Sequence, residues 1–276
     1  MKENKTILHT PVLLKQSIEG LNIKKDGIYV DATFGRGGHS EEILKHLSKE
    51  GKLFAFDQDL AAIDEGKEKF NFENFELIHS NFVYLKEELE KKGVDKVDGI
   101  LFDLGVSSPQ IDDSTRGFSY MNDGPLDMRM NKDEKIDAKY IVNNYSLEDL
   151  NKILRQYGEE KFSYKIAQGI VNKRDLNEIK TTGQLVEIIK TSVPSSYFKE
   201  AFPSKRVFQA LRIEVNNELE NLELGLKKAL SILSDKGRLV VISFHSLEDK
   251  ITKKAFKHLT TKPYWNKKMP IVNEKN

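Results

Sequence analysis

The first residues that could do chemistry form a glycine-rich turn. The segment Asp31-Ala-Thr-Phe-Gly-Arg-Gly-Gly-His39 follows a β-rich apolar run and precedes a stretch with helical periodicity. Glycines at such a turn let the backbone approach a ligand closely, and the following helix presents free N–H groups. The spacing of Gly35, Gly37 and Gly38 differs from the dinucleotide fingerprint GxGxxG. The turn therefore predicts a cofactor loop of another kind, although a merely tight turn has the same composition.

Two acidic residues follow the next apolar run, in the segment Asp57-Gln-Asp59. In a nucleotide-binding α/β sheet, an acidic side chain about twenty residues beyond the glycines accepts hydrogen bonds from ribose hydroxyls. We expect Asp57 to have this role. Asp59 is equally suited to cap a helix that begins at Leu60. The two features together predict a bound nucleoside cofactor, without distinguishing a nicotinamide from S-adenosylmethionine.

A third polar segment, Asp103-Leu-Gly-Val-Ser-Ser-Pro-Gln110, ends the fourth apolar run. It places polar groups at the carboxyl edge of the predicted sheet, where ligands of such sheets bind. Asp103, Ser107 and Ser108 are candidate hydrogen-bond acceptors for a substrate at this edge. Their identity favours a methyltransferase over a dehydrogenase, although Ser-Ser-Pro is also typical of a simple turn.

Short apolar runs alternate with amphipathic helical stretches in the first half of the chain. The predicted strands are 28–34, 52–56, 75–79 and 97–104, and the helices between them are 40–48, 60–69 and 84–92. This alternation predicts a doubly wound, mostly parallel sheet with right-handed crossovers. The strands must therefore carry all three polar segments to one edge.

The pattern changes after a predicted loop over 105–126. Only helical periodicity is present over 133–193, where Ser146 and Thr181 are predicted to begin helices through capping motifs. A long helix is predicted over 204–233 and a fifth strand over 238–244. The simplest interpretation is an α/β domain formed by 1–110 and 214–276, interrupted by a helical insertion over 111–213.

The composition limits the class of protein. Of the 276 residues, 38% are hydrophobic and 32% are charged, which is typical of a globular chain. No apolar run approaches the roughly 18–20 residues of a membrane span, and no signal peptide is predicted, so we expect a cytoplasmic protein. The absence of cysteine excludes disulfides and thiolate-ligated metals, and no metal is predicted. A net charge of +1 means that any RNA contact must depend on local basic patches.

Five segments resemble one known family. They are His9–Leu14 (HTPVLL), Asp31–Ser40, Phe102–Met130, Phe208–Glu220 (FQALRIEVNNELE) and Gly237–Asp249 (GRLVVISFHSLED), and they are similar, in matching order, to the RsmH (MraW) family. The resemblance implies a class I (Rossmann-like) methyltransferase fold with a helical, RNA-facing insertion. It also implies an S-adenosylmethionine-dependent enzyme that methylates the exocyclic N4 of a cytosine in 16S rRNA, at the decoding centre of the small ribosomal subunit.

The resemblance assigns roles to individual residues. S-adenosylmethionine is expected to contact Gly37, Gly38, His39, Asp57, Phe82, Asp103 and Gln110. Within this set, Asp57 is expected at the ribose, Phe82 near the adenine, and Asp103 with Gln110 near the methionine end. The residues expected near RNA are Lys205, Arg206, Arg212 and His245. Alternatives remain: Phe82 as ordinary core packing, His39 acting through its backbone N–H, and the basic residues as solvated helix charges.

The chemistry favours an amine as the methyl acceptor. Methylation of a pyrimidine ring carbon usually needs a thiolate to activate the ring, and this chain has none. Two other functions compete: a methyltransferase of a different nucleic acid or amine, and an RNA-binding assembly factor that retains a vestigial pocket. A homodimer is a further option. Family members usually continue to a basic segment and a final strand, so we expect that strand to be missing after 263–276.

Overall fold

The computed structural model describes residues 11–260, with side chains through Lys257. The segment 263–276, to which the prediction of a missing strand applies, lies outside the described residues, as does His9. The five strands are β1 (Ile28–Asp31), β2 (Lys52–Asp57), β3 (Phe75–His79), β4 (Val97–Asp103) and β5 (Leu233–Ile242). They form one sheet of order β3-β2-β1-β4-β5 in which every pair is parallel. The predicted doubly wound α/β fold is confirmed.

The helices between the strands cover both faces of the sheet. In chain order they are α1 (Leu14–Leu21), α2 (Gly38–His46), α3 (Leu60–Lys69), α4 (Leu85–Glu90), α5 (Ser108–Asp112), α6 (Ala138–Asn144), α7 (Leu147–Gln156), α8 (Ser163–Arg174), α9 (Thr182–Ser192), α10 (Ser195–Ala201), α11 (Pro203–Asn216), α12 (Glu218–Ile232) and α13 (Ser246–Thr260). One apolar cluster joins the sheet to α1 and α2, and a second joins it to α4, α12 and α13. Because both faces are covered, the central strands are continuous apolar runs, such as the fully buried Leu53–Phe56.

The helical insertion has a core of its own, formed by buried residues between Phe118 and Val215. Two of its helices, α7 and α9, begin where the capping motifs at Ser146 and Thr181 predict. The Ser146 side chain accepts from the N–H of Asp149, and Thr181 forms a full capping box with Gln184. None of the helices within residues 11–260 is long and apolar enough to cross a membrane.

The prediction of one long helix over 204–233 is wrong. The chain breaks at Asn217, which adopts a left-handed φ of 49° between α11 and α12. Asparagine tolerates this conformation better than most residues, and helical periodicity on both sides conceals the break. The break lets α11 pack in the insertion core while α12 packs on the sheet.

Two further boundaries differ from the predictions. Strand β5 begins at Leu233, five residues before the predicted start, because a register shift opposite Val97–Gly99 accommodates the polar residues 234–237. The predicted loop over 105–126 contains the short helix α5. Its capping box and Pro109 are local helix-start signals that the turn-like composition obscures.

Candidate active site

The carboxyl edge of the sheet brings together three acidic residues. Asp31, Asp57 and Asp103 end β1, β2 and β4, which are adjacent strands. The chain order of the strands reverses between β1 and β4, and this is where ligands bind in open α/β sheets. The predicted gathering of the polar segments at one edge is therefore present.

The three glycines of the turn have different environments. A Cβ on Gly37, at φ +76°, would lie 2.4 Å from Cζ of Phe70, and one on Gly38 would lie 2.3 Å from Cγ of Pro11. These two positions therefore need glycine for packing. Gly35, at φ +56°, would direct a Cβ into open space, with no atom of residues 11–257 within 4 Å. The free side of the turn is consequently at Gly35.

Asp57 is fixed by the turn that it faces. Its carboxylate accepts from the backbone N–H groups of Gly35 and Asp59, each at 2.8 Å. Burial raises the pKa of Asp57 to about 6, against the lowering effect of these two hydrogen bonds. The carboxylate is thus held in place beside the open side of the turn, as a ribose acceptor must be.

Asp103 is the least satisfied acid of the site. Its Oδ1 is buried and has no hydrogen-bond partner among the described residues, while its Oδ2 lies 3.6 Å from Nδ1 of His39. Burial raises the pKa of Asp103 to about 6, and the nearby charges of Asp31 and Glu248 add to this effect. An unpartnered buried acceptor is costly, so this position suits a ligand that brings an N–H donor or a positive charge.

His39 is a buried side chain in the first turn of α2, and its ring is engaged at both nitrogens. Nε2 lies 3.2 Å from the carbonyl oxygen of Val12. Because a carbonyl only accepts, Nε2 carries the proton in this contact. The opposite nitrogen, Nδ1, faces Oδ2 of Asp103 at 3.6 Å, a contact longer than a hydrogen bond. His39 therefore positions Asp103 through its side chain.

Two residues that sequence reasoning passed over support Asp103 and the turn. Thr33 Oγ1 accepts from the Asp103 N–H at 2.7 Å, and the fully buried Asp31 accepts from Ser40 Oγ at 2.7 Å. Burial raises the pKa of Asp31. Their position within the glycine-rich motif was the only sequence signal for these roles.

A buried network ties the loop after β4 to the loop after β2. Asp59 caps α3 through the Ala61 N–H and also accepts from Gln110 Nε2 at 2.8 Å and Arg116 Nη1 at 2.7 Å. The capping alternative for Asp59 is confirmed. Gln110 Oε1 accepts from the Ser107 N–H, so both ends of this amide are used internally. Gln110 thus supports the site as a scaffold residue, and a direct cofactor contact would require it to exchange partners.

Ser107, Ser108 and Phe82 lie around the same edge. Ser107 caps α5 and Ser108 is its first residue. Phe82 is half-buried and packs edge-on against Phe102, with ring centroids 5.3 Å apart. This contact is the core packing considered as an alternative, and the adenine contact of Phe82 stays a prediction. Beside Phe82 opens a polar cavity of about 310 Å³, whose lining includes Gln58, Ser80, Asn81, Asn131 and Asn217.

The basic residues predicted to contact RNA differ in their exposure and in the partners that they already have. Lys205 is exposed, whereas Arg206 donates to the Tyr197 hydroxyl at 2.8 Å and lies 3.7 Å from the buried Glu160. Arg212 forms a bidentate pair with Glu218 at 2.7 and 2.8 Å, and only 16% of its side chain is exposed. The prediction of Arg212 as a phosphate contact needs correction, since this guanidinium holds α11 to α12 across the break at Asn217.

His245 lies next to this pair. Its Nε2 is 3.2 Å from Oε1 of Glu248, whose other oxygen accepts from the backbone N–H groups of Phe244 and His245. The ligand atoms of Glu218, His245 and Glu248 lie within 4.8 Å of one another, a spacing compatible with a metal ion. Arg212 already pairs with Glu218 through both carboxylate oxygens, so this carboxylate is engaged in an ion pair. Glu248 was signalled only by its place three residues after a helix cap.

A family model described as the MraW methylase family matches residues 6–276. The chain belongs to this family. It is 54% identical over 252 residues to the ribosomal RNA small subunit methyltransferase H of Clostridium botulinum (strain 657 / Type Ba4), covering 91% of this chain and 82% of that protein. It is also 54% identical over 271 residues to the protein of the same name from Spiroplasma kunkelii, covering 96% and 86%. The predicted family and its methyltransferase activity are confirmed.

Solved structures give a weaker likeness. An rRNA methylase from Streptococcus thermophilus is 28% identical and aligns over 33% of this chain and 52% of its own length, with a TM-score of 0.27. The fold assignment therefore rests on the strand order and the parallel pairing of this chain.

Proposed function

We propose that this chain transfers a methyl group from S-adenosylmethionine to the exocyclic N4 of a cytosine in 16S rRNA, near the decoding centre of the small ribosomal subunit. The observation that carries the proposal is the buried, unpartnered Oδ1 of Asp103 at the carboxyl edge of a family methylase. The names of the two relatives support the small-subunit rRNA as substrate. A ribosomal substrate also agrees with the predicted cytoplasmic location.

The residues at the edge fit the cofactor. Open space above Gly35 accepts the ligand against the turn, and the fixed carboxylate of Asp57 is suited to the ribose hydroxyls. Gly37, Gly38 and His39 continue the turn beneath, and Phe82 borders the side expected for the adenine. The orphan acceptor of Asp103 suits the cationic methionine end, with Gln110 supporting the loop. When bound, S-adenosylmethionine supplies a methyl group that its sulfonium has already activated.

The protein's own contribution is positioning and proton management. The lone pair of a cytosine N4 is delocalised into the ring, so an acceptor bonded to its N–H concentrates electron density on nitrogen. S-adenosylmethionine held by these residues would supply the methyl group and leave as S-adenosylhomocysteine, so N4 would have to lose one proton. Asp103, Ser107 and Ser108 are the candidate acceptors of this proton, and His39 lies 3.6 Å from Asp103, where it orients the carboxylate.

We further propose that the helical insertion over 111–213 binds the RNA. A cleft of about 560 Å³ on its surface is lined by Arg155, Lys161 and Lys165 together with Phe162 and Tyr164. Interleaved basic and aromatic side chains suit an unpaired RNA strand, because phosphates meet cations and bases meet rings. Exposed Lys205 is a further phosphate contact, and His245 borders the acceptor side of the sheet edge.

The deciding experiment uses the Asp103→Asn variant and identifies the product. Wild-type protein, S-adenosylmethionine and small subunits from cells lacking this methylation should give N4-methylcytidine after digestion of the 16S rRNA. If Asp103 holds the cofactor, the variant should lose cofactor affinity and recover most of its turnover at saturation. If Asp103 acts on the amine, turnover should fall by about 10²–10⁴-fold. A methyl on C5, or no product from active wild-type protein, would exclude the proposal.

A further inference from the structure

Phe244 is a large aromatic side chain left exposed at the active edge. It lies two residues beyond the end of β5, and 56% of it is exposed. It belongs to none of the three apolar clusters formed by the described residues, and it stacks on no other ring among them. At the edge of a ligand site, an exposed ring is available to stack on a planar ligand such as a base.

The backbone beneath this ring is held firmly. Glu248 Oε2 accepts from the Phe244 N–H at 2.7 Å, at the start of α13. Ser246 Oγ donates to Glu159 Oε2 at 2.8 Å, which joins this turn to the insertion. Glu159 is followed directly by Glu160 and Lys161, which line the basic cleft. The ring of Phe244 is thus mounted on a fixed turn, adjacent to the surface proposed for RNA.

Gly105 leaves room beside the ring. Asp103 and Ile242 are in register, so Gly105 and Phe244 each lie two residues beyond a paired position. Gly105 has φ +94°, and a Cβ placed there would have, among the described residues, only Phe244 Cδ2 within 4 Å, at 3.7 Å. Gly105 therefore leaves space beside the ring of Phe244, two residues beyond Asp103.

The strand order tells which ligand meets this ring. The turn at Gly35 and the carboxylate of Asp57 lie on β1 and β2, on one side of β4, whereas β5 lies on the other side. A cofactor held by β1 and β2 reaches β4 from the first side. The methyl acceptor must then approach from the β5 side, where Phe244 lies.

We propose that Phe244 stacks on the target base, holding the unpaired cytosine so that its amine faces Asp103. This inference rests on the proposed function. A base removed from its helix needs a replacement for its lost stacking, and an aromatic ring provides one for any base. Such stacking corresponds to about 5- to 150-fold in affinity.

The test compares Phe244→Ala, Phe244→Leu and Phe244→Trp on small subunits from cells lacking the methylation. The alanine and leucine variants should lose about 5- to 150-fold in kcat/KM for the subunit, and tryptophan should retain most of it. Calorimetry should give an unchanged Kd for S-adenosylmethionine in all three. Phe72→Leu, a half-exposed aromatic at the opposite edge of the sheet, is the matched control and should behave as wild type.

A binding measurement separates stacking from a general effect on turnover. With S-adenosylhomocysteine present, wild-type protein should quench pyrrolocytosine placed at the target position of a 16S rRNA fragment, and Phe244→Leu should not. The assignment of Phe244 to the base would be overturned if the Phe244→Leu variant had the activity of the wild type. Weakened cofactor binding in the Phe244→Ala variant would overturn it as well. Inactive wild-type protein would instead contradict the proposed function.

Discussion

At the scale of single residues, Asp57 and Asp103 both have a raised pKa but differ in their hydrogen bonds. Burial raises the pKa of each to about 6, but the hydrogen bonds differ. Asp57 already accepts two backbone N–H groups, whereas Oδ1 of Asp103 accepts none. Asp57 is therefore built into the turn, and Asp103 retains capacity for a ligand.

Replacing Asp57 with Ala should weaken S-adenosylmethionine binding by about 2–4 kcal/mol, because two hydrogen bonds between the ribose and a charged group are lost. The freed Gly35 N–H also loosens the turn. Calorimetric titration measures the effect, and Asp64→Ala, at an exposed position of α3, serves as the control. Unchanged affinity in a folded Asp57 variant would assign the ribose contact to another residue.

The pH dependence follows from the raised pKa values. Asp103 must be ionised to attract a cation or accept a proton, so kcat/KM for the cofactor should fall as the pH drops below about 6. Asp57 titrates in the same range, so Asp103→Asn should make this acid limb shallower without abolishing it. If the acid limb of the pH profile is identical in the variant, Asp103 is not one of the groups whose titration lowers kcat/KM.

Acid unfolding should not be the cause of the fall in kcat/KM below about pH 6. Since the folded-state pKa of both carboxyls lies above their ordinary value, the folded protein binds more protons than the unfolded chain between about pH 6 and 4. These two groups therefore favour the folded state as the pH falls through 6. Thermal unfolding at pH 5.5 and 7.5 checks that the lost activity has another cause.

At the scale of elements, the glycine turn divides its work between packing and binding. Gly37 and Gly38 let α2 begin against Phe70 and Pro11, while Gly35 leaves the open side. The same motif thus serves the fold at one end and the ligand at the other.

Gly35→Ala and Gly37→Ala should separate these two roles. The Gly35 variant should lose cofactor affinity by about 1–3 kcal/mol, because its methyl group enters the ligand space. The Gly37 variant should lose about 2–4 kcal/mol of folding stability, from left-handed strain plus the clash with Phe70. Gly93 also has a left-handed φ and free space around its Cα, but it lies at the edge of the sheet where β4 begins. Gly93→Ala is therefore the control for backbone strain alone. Equal cofactor affinity of the Gly35 and Gly93 variants would contradict the assignment.

At the scale of the whole molecule, the insertion and the sheet domain meet around the active edge. Arg212 and Glu218 join them across the break at Asn217, and Glu159 and Ser246 join them near Phe244. The net charge of +1 gives the surface no general attraction for RNA. We therefore expect local basic surfaces, such as the cleft proposed to bind RNA, to direct this interaction.

Neutralising that cleft should weaken RNA binding specifically. Replacing Arg155, Lys161 and Lys165 with Gln should lower RNA affinity and reduce the salt slope by roughly 0.7 per lost phosphate contact. Cofactor affinity should be unchanged. The control replaces Lys25, Lys49 and Lys91, which are exposed on the loops that enter the strands at the opposite edge. Equal salt slopes for the two triple variants would place the RNA elsewhere.

The sequence by itself determined the doubly wound sheet and the positions of Asp57 and Asp103 at strand ends. These follow from local information, since apolar runs, caps and glycine turns depend on neighbouring residues. The motifs also determined the family. Helix starts at Ser146 and Thr181 were correct for the same reason.

Only the tertiary structure decided which of these polar groups are free to act. Asp59 holds Gln110 and Arg116, which lie 51 and 57 residues away along the chain, and Arg212 is neutralised by Glu218 beyond a break that periodicity conceals. Burial and partnership depend on which faces meet after folding, and composition does not encode them. For the same reason, the orphan oxygen of Asp103 and the exposed ring of Phe244 became visible only when the strands were placed side by side.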